Sequence, residues 1–255
     1  MNTKVPIYSI SGETKGEIDL PEIFDTEVRE DLIRKAFRAI SLSMRQPYGS
    51  SPLAGMRRVG HTTRPGLGIS RMPRIAGGSR VVGIASAVGG KSAHSPRVTK
   101  NLYVKINDKE RKIAKYSAIA LTASSEAVKK RGHRFKDDLK LPIVVEDGLE
   151  GIAKTKDAIA LLKNIGVYED IERSSEGKHI RAGRGKMRGR KYRQPKSVLI
   201  VAKNSSALKA FRSLPGVDVA SPNSLSIRKL APGGVGGRLT IFTEGAIESL
   251  KEVNP

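Results

Sequence analysis

Residues 46–101 follow neither the helical spacing nor the strand alternation of apolar residues, and this limits the folds open to the chain more than any other feature. The segment has ten glycines between Gly49 and Gly90, and it also contains Pro47, Pro52, Pro65, Pro73 and Pro96. A structureless loop of this length is abnormal inside a compact domain unless it is disordered or functional. Because apolar residues are scattered among its arginines, we expect an extended arm that becomes ordered against a partner.

The positive charge is concentrated in two stretches that contain no Asp or Glu. Residues 32–107 carry 14 Lys and Arg, and residues 177–217 carry 12 more. The whole chain has a net charge of +22, so the other 138 residues have a net charge of −4. Such concentrated charge repels itself and needs a polyanion, of which nucleic acid is the foremost. A membrane surface is disfavoured because neither stretch contains an amphipathic helix with a bulky apolar face.

The composition also excludes several classes of protein. The absence of cysteine excludes disulfides and thiolate chemistry and fits a reducing compartment. We expect a cytoplasmic protein, because no run approaches the roughly 20 apolar residues of a membrane span and the N-terminus lacks a signal-peptide core. We expect no metal, no cofactor and no enzymatic activity, since no nucleophile–base arrangement is evident and the histidines lack metal-ligand spacing: His61, His94, His133 and His179.

On both sides of the aperiodic segment, strand patterns and helix patterns alternate along the chain. This predicts an α/β fold, in which residues 1–45 and 102–255 form a single globular domain with a mostly parallel sheet flanked by helices. The extended basic arm, residues 46–101, is inserted after the first helix. The predicted strands are 4–10, 17–20, 141–145, 198–202, 217–220 and 239–242, and the predicted helices are 27–44, 107–131, 156–165, 205–214, 223–230 and 244–251.

Two glycine-rich motifs resemble nucleotide-binding loops. Residues 85–92 fit a relaxed phosphate-loop pattern, but a phosphate loop must open directly into a helix, and Pro96 would break the first turns. Residues 233–237 precede a strand, whereas a dinucleotide loop follows one. Both observations disfavour a third hypothesis for this chain, a P-loop enzyme with a basic insertion.

The second basic stretch has a denser core, residues 181–193. Glycines between its arginines allow the backbone to approach phosphates closely, and the arginine side chains bind phosphate with two parallel hydrogen bonds. Tyr192 adds an aromatic face for base stacking. A solvated basic loop is the alternative interpretation of this segment.

Four sequence blocks resemble the uL4 (L4) family of ribosomal proteins in its archaeal and eukaryotic form. They are Ala87–Pro96, Asn107–Arg111 running into Ser117–Ala123, Arg188–Arg193 and Leu230–Leu239. The resemblance covers essentially the whole chain. It implies a globular α/β domain at the outer part of the large ribosomal subunit and an arm threaded through large-subunit rRNA. It also implies that the tip of the arm lines the peptide exit tunnel opposite uL22, where it meets the nascent peptide.

The candidate residues follow from the charge pattern together with this resemblance. The expected rRNA-binding residues are Arg45, Arg57, Arg58, Arg74, Arg80, Lys91, Arg97, Arg181, Arg184, Lys186, Arg188, Arg190, Lys191, Tyr192 and Arg193. By position in the arm, the tunnel tip is expected at Thr63, Arg64, Pro65, Gly66, Leu67, Gly68, Ile69, Ser70 and Arg71. The other hypothesis that remains open is a non-ribosomal RNA- or DNA-binding regulator, in which the basic segments form a flexible clamp.

Overall fold

Short strands form a six-stranded main sheet and a separate two-stranded hairpin. In the computed structural model, which describes residues 4–204 and 207–251, the strands are β1 (Lys4–Tyr8), β2 (Thr14–Asp19), β3 (Ile143–Val145), β4 (His179–Ile180), β5 (Tyr192–Arg193), β6 (Leu199–Val201), β7 (Asp218–Ala220) and β8 (Thr240–Thr243). The order in the main sheet is β2-β1-β3-β8-β6-β7, and β4 pairs with β5. Within the main sheet only β1 and β2 pair antiparallel, and all other neighbours are parallel. The predicted α/β fold with a mostly parallel sheet is confirmed.

The helices cover both faces of this sheet. They are α1 (Glu30–Ser43), α2 (Asp108–Ala123), α3 (Ser125–Lys130), α4 (Thr155–Ile165), α5 (Tyr168–Glu176), α6 (Lys209–Arg212), α7 (Ile227–Leu230) and α8 (Glu244–Lys251). Alternate strand residues point to opposite faces, so Val144 packs in one apolar cluster with α1, α2, α7 and α8. Its neighbour Ile143 packs in a second cluster with α4, α5 and α6. Strands buried on both faces explain the continuous apolar runs in the sequence.

The helices differ from the predicted ones at four places. Of the helix predicted over 223–230, only α7, Ile227–Leu230, is helical. The helix predicted over 107–131 is divided at Ser124, whose hydroxyl accepts a hydrogen bond from the N–H of Ala127 and thereby caps α3. Helix α5 was not predicted, since its first apolar residues directly follow Gly166 and read as a loop. Of the helix predicted over 205–214, only α6 is helical among the described residues, and Ser205 and Ser206 lie outside them.

The chain divides into two compact units, residues 1–41 with 105–255 and residues 42–104. The main sheet belongs to the first. In the second, residues 44–104 form turns and isolated antiparallel bridges, which join His61 to Arg74 and Arg74 to Val81. Only Val82 is buried there, so this unit contributes almost nothing to a hydrophobic core. The boundaries of the arm, 46–101, remain a prediction.

Candidate nucleic-acid interface

The carboxyl edge of the parallel strands is where α/β proteins usually bind ligands, but here its acids have structural roles. Glu146 follows β3 and accepts hydrogen bonds from Lys15 Nζ at 2.9 Å, the Ile10 N–H at 3.0 Å and Ser9 Oγ at 3.2 Å. The hydrogen bond from Lys15 is the main cause that lowers the pKa of Glu146. Asp147 accepts the Gly245 N–H at 2.9 Å, and Glu150 accepts the Asn204 N–H at 3.0 Å. These three carboxylates hold loops together, and each already accepts a hydrogen bond from the protein itself.

The first part of the second basic stretch, residues 177–197, lies at the opposite edge, in the segment that leads into β6. Its strands β4 and β5 pair antiparallel and form a small hairpin, called the β4–β5 hairpin below (residues 179–193). The chain reverses through a single 3-10 turn, Arg184–Arg188, between Gly183 and Gly189. Both glycines have a positive φ, 77° and 76°, which other residues adopt only with strain. The glycines of the basic motif therefore shape its turn.

Backbone hydrogen bonds hold this hairpin together. The Arg181 N–H donates to the Lys191 carbonyl at 2.8 Å, and the Arg190 N–H donates to the Gly185 carbonyl at 3.1 Å. Arg181 Nε also donates to the Arg190 carbonyl at 3.1 Å, and its side chain is half-buried. Arg181 thus has a structural role in addition to the predicted RNA contact. The hairpin is a defined structure rather than the loop that the sequence suggests.

The other predicted residues of the hairpin are all exposed: Arg184, Lys186, Arg188, Arg190, Lys191, Tyr192 and Arg193. Among the described residues, none of these cations forms an ion pair with a carboxylate. Two ammonium groups lie close to the Tyr192 ring, Lys178 Nζ at 4.9 Å and Lys191 Nζ at 5.5 Å from its centroid. An exposed aromatic ring flanked by cations is suited to stack on a base whose phosphate the lysines neutralise.

A polar cavity of ≈ 390 Å³ is lined by residues that were not among the predicted RNA-binding residues. Its lining includes Lys178, Lys196 and Arg212, together with Gln194 and Ser213. Lys196 is paired with Asp218 at 2.9 Å, whereas Lys178 belongs to the Tyr192 cluster. All three cations lie in the same acid-free stretch, which is the signal by which they could have been found.

A buried arginine supports the segments that carry this surface. Arg238 is fully buried and forms an ion pair with Asp218 at 2.8 Å. It also donates hydrogen bonds to the carbonyls of Ser197 at 2.8 Å, Lys229 at 2.7 Å and Gly216 at 3.3 Å. Burial lowers the pKa of Arg238, and Asp218 opposes that effect. One guanidinium therefore ties the starts of β6 and β7 to α7.

A second buried cluster fixes α5 against the residues that follow α3. Asp170 accepts hydrogen bonds from His133 Nδ1 and the Arg134 N–H, both at 3.0 Å, and from Arg173 Nε at 2.9 Å. Burial alone would raise the pKa of Asp170, but these donors lower it to about 2. Burial lowers the pKa of His133, so its neutral form donates to the carboxylate. Arg173 extends the network by donating to the Lys196 carbonyl at 2.9 Å.

In the unit formed by residues 42–104, the candidate cations are divided between exposed and structural positions. The exposed ones are Arg45, Arg57, Arg58, Arg80, Lys91 and Arg97. Arg74 is half-buried, and its Nη1 donates to the Ser79 carbonyl at 2.6 Å. Its backbone pairs with His61 in both directions at 2.9 Å. We therefore assign Arg74 a role in holding this turn, beside the predicted contact with RNA.

The predicted tip, Thr63–Arg71, forms a reversing loop. Gly66 and Gly68 have φ values of +92° and +66°, and Thr63 Oγ1 donates to the Ser70 carbonyl at 3.3 Å across the loop. The antiparallel bridge from His61 to Arg74 closes its base. Eight of its nine residues are exposed, Thr63 being the exception.

The phosphate-loop motif at residues 85–92 does not lead into a helix. The chain continues through turns to residue 100, and all of these residues are described. The geometry that would aim successive N–H groups and a helix dipole at a phosphate is therefore missing. Within residues 4–204 and 207–251, no cluster of three His, Asp or Glu side chains is placed to hold a metal. No helix in these ranges has the length and apolar character needed to cross a bilayer.

Comparison with known families and proteins assigns the chain to a family. Residues 18–253 match the Ribosomal protein L4/L1 family. The chain belongs to this family. It is 92% identical over 254 residues to large ribosomal subunit protein uL4 of Thermoplasma acidophilum, and 79% identical to that of Thermoplasma volcanium, with each chain fully covered. It is 47% identical over 250 residues to the uL4 of Methanocaldococcus jannaschii, with 98% of each chain covered.

This membership confirms the resemblance noted from the four sequence blocks. Proteins of the L4/L1 family are structural components of the ribosome and not enzymes, so the prediction of a non-enzymatic ribosomal protein is confirmed as well. The P-loop hypothesis is excluded on the same ground.

Proposed function

We propose that the chain is a structural constituent of the large ribosomal subunit that binds large-subunit rRNA and aids assembly of the subunit. The match to a ribosomal family over residues 18–253 carries this proposal. Ribosomes act in the cytoplasm, which supports the predicted location. The exposed candidate cations of the β4–β5 hairpin and of residues 42–104 have no carboxylate partners among the described residues. They supply the chemistry, because a polyanion must neutralise them.

The β4–β5 hairpin is the proposed contact of the globular domain, residues 1–45 and 102–255. Its exposed cations bind backbone phosphates, and Tyr192 stacks on an unpaired base. Backbone contacts of this kind position the protein, and recognition is by the shape of the RNA rather than by its sequence. The hairpin is held by its own hydrogen bonds, so it binds RNA without first becoming ordered.

Residues 46–101 are the proposed rRNA-penetrating arm. Its cations contact phosphates, and its exposed apolar side chains, such as Met56 and Leu53, fill gaps or meet splayed bases. A unit with one buried side chain has little stability of its own, which suits a segment that is held by surrounding RNA. We infer that this arm enters the subunit during assembly, because a loop cannot be threaded into finished RNA.

Thr63–Arg71 is the proposed lining of the peptide exit tunnel, beside uL22 and the nascent peptide. Its reversing loop and its two flanking arginines support this placement. A photoreactive residue at Leu67, which is 63% exposed, tests it in assembled subunits. We expect cross-links to uL22 or to a nascent chain. Cross-links only to rRNA remote from the tunnel would remove this loop from the tunnel wall.

Co-sedimentation tests the proposal as a whole. The chain should remain with large subunits at about 0.5 M salt, where weak contacts between exposed charges are largely screened. A free RNA- or DNA-binding regulator would be released under these conditions and would be recovered in the supernatant. That result would replace the ribosomal function with the alternative.

A further inference from the structure

A second cavity of the globular unit lies away from the β4–β5 hairpin residues and was not among the predicted sites. It has a volume of ≈ 420 Å³, within the range of about 300–1,000 Å³ that is typical of ligand pockets. Residues of α1, α2 and the segment leading into α7 line it. Its lining includes three cations and no carboxylate: Arg111, Lys112 and Lys115.

The three cations differ in how they are compensated. Arg111 forms an exposed ion pair with Asp108 at 2.9 Å. Lys112 is exposed, and Lys115 is half-buried in the cavity wall. Among the described residues, neither lysine forms an ion pair. Burial lowers the pKa of Lys115, in keeping with its half-buried position and the lack of a carboxylate in the cavity lining. An anionic group in the cavity would compensate that loss.

The rest of the lining is suited to a nucleobase. Ile40 is half-buried and supplies apolar surface, whereas Leu225 and Ile227 are core side chains that are 3% exposed and border the cavity only at their edges. Asn223 and Ser226 add an amide and a hydroxyl to the lining. A base presents an apolar face together with polar edges, and bases that are splayed out of single-stranded RNA are held by this combination. Inorganic phosphate alone would leave the apolar part of the cavity uncovered.

We propose that this cavity holds one splayed nucleotide of single-stranded RNA, with its phosphate on Lys112 and Lys115 and its base against Ile40. The inference rests on the proposed rRNA-binding function and adds a second contact of the globular domain to it. The contact is to a single unpaired nucleotide, whereas the hairpin follows a stretch of backbone.

The test uses the full-length chain and labelled eight-nucleotide oligouridylate and oligoadenylate as probes. Lys112→Gln with Lys115→Gln should weaken binding about tenfold, because the variant cannot form the two charge-assisted hydrogen bonds to the phosphate. Lys109→Gln with Lys130→Gln is the matched control, since it removes the same charge from exposed positions of α2 and α3 outside the cavity. The control should change affinity by no more than about twofold. Lys115→Arg, which keeps the charge, should retain most of the affinity, and an unchanged urea midpoint of the double Gln variant excludes misfolding as the cause.

Cross-linking identifies what the cavity holds. Oligouridylate carrying 4-thiouridine should cross-link to residues 223–227, and the double cavity variant should abolish these cross-links. Equal affinities of the cavity and control variants would overturn the proposal, as would complete displacement of the cross-link by inorganic phosphate. A hairpin variant, in which Arg188, Arg190, Lys191 and Arg193 are replaced by Gln, is measured on the same probes. It separates the cavity proposal from the proposed rRNA binding. If the hairpin variant alone binds more weakly, only the cavity proposal fails, and if every variant binds as the unchanged chain does, the proposed rRNA binding fails too.

Discussion

Arg238 shows how a single buried charge supports a binding surface that it does not itself reach. Its guanidinium is fully buried and satisfies carbonyls of three segments as well as the Asp218 carboxylate. The charge pattern of the sequence does not distinguish it, because it lies outside both acid-free stretches. Its role depends on which carbonyls the fold brings together.

Replacement of Arg238 by Met should therefore destabilise the protein strongly. The change leaves buried carbonyls without a donor, and each unsatisfied buried group costs about 1–3 kcal/mol. Asp218 loses one partner but keeps Lys196. Urea denaturation at pH 7 measures the loss of stability as a lower midpoint. Arg212→Met removes an exposed arginine and serves as the control. Equal midpoints for the two variants would mean that the buried contacts contribute little.

His133 should make the stability of the fold depend on pH. Burial lowers its pKa from 6.5, and this exceeds the opposing effect of Asp170. Below pH 6.5 the unfolded chain therefore binds a proton that the folded chain does not, so the contribution of His133 is present above pH 6.5 and is lost as the pH falls below it. His133→Asn retains an N–H donor for Asp170 but cannot titrate.

The free energy of unfolding, measured by urea denaturation at pH 7 and pH 5, should consequently fall less for His133→Asn than for the unchanged chain. His179 is exposed and bonds only locally, to the Gly177 carbonyl at 2.9 Å. His179→Asn should therefore keep the full decrease. A decrease of the same size in all three proteins would show that His133 is protonated equally in both states.

At the scale of elements, the β4–β5 hairpin concentrates exposed cations on a short, hydrogen-bonded framework. Arg188, Arg190, Lys191 and Arg193 are exposed, and none of them has a carboxylate partner among the described residues. Their replacement by Gln should leave the fold intact but weaken binding to isolated rRNA fragments. The slope of log affinity against log salt should become shallower by roughly 0.7–0.9 for each phosphate that is no longer neutralised.

Fluorescence anisotropy over a series of KCl concentrations measures this slope. The matched control replaces Lys154, Lys156, Lys163 and Lys251 by Gln, which removes the same charge from exposed positions outside the two acid-free stretches. The control should change the slope much less than the hairpin variant. A common slope for both variants would mean that net charge, and not the hairpin, determines RNA affinity.

At the scale of the whole molecule, the two units differ in what holds them together. Both apolar clusters of the sheet lie outside residues 42–104. We predict that replacing Gly49–Pro96 with a short Gly/Ser linker leaves an α/β protein that unfolds cooperatively. The replacement removes one buried apolar side chain, Val82, so the hydrophobic contribution to the core is nearly unchanged. Circular dichroism during urea denaturation measures both the secondary structure and the cooperativity.

A loss of cooperative unfolding in this linker variant would contradict the prediction. A broad, non-cooperative transition would mean that residues 49–96 are needed for the core, and the division into a globular domain and an inserted arm would then be wrong. The same variant should retain the hairpin-dependent binding to rRNA fragments while impairing assembly of the large subunit, since the hairpin cations lie outside the deleted range.

The fold class, the two basic stretches and the family resemblance could all be predicted from the order of the amino acids. These depend on local patterns, namely the period of apolar residues, the absence of acids and the order of short motifs. For example, the helix predicted over 244–251 agrees with α8, and the run at 141–145 contains β3. Such local patterns predict secondary structure correctly because residues that are close in the chain belong to the same helix or strand.

The contacts between distant residues could not be predicted in this way, and they are known from the folded structure. It placed Arg238 against Asp218, and Asp170 against His133 and Arg173. It divided one predicted helix at Ser124, and it gathered α1, α2 and the segment before α7 around a basic cavity. These contacts join residues far apart in the chain, and their energies depend on burial and on geometry to within a few tenths of an ångström. Neither property can be read from the order of residue types along the chain.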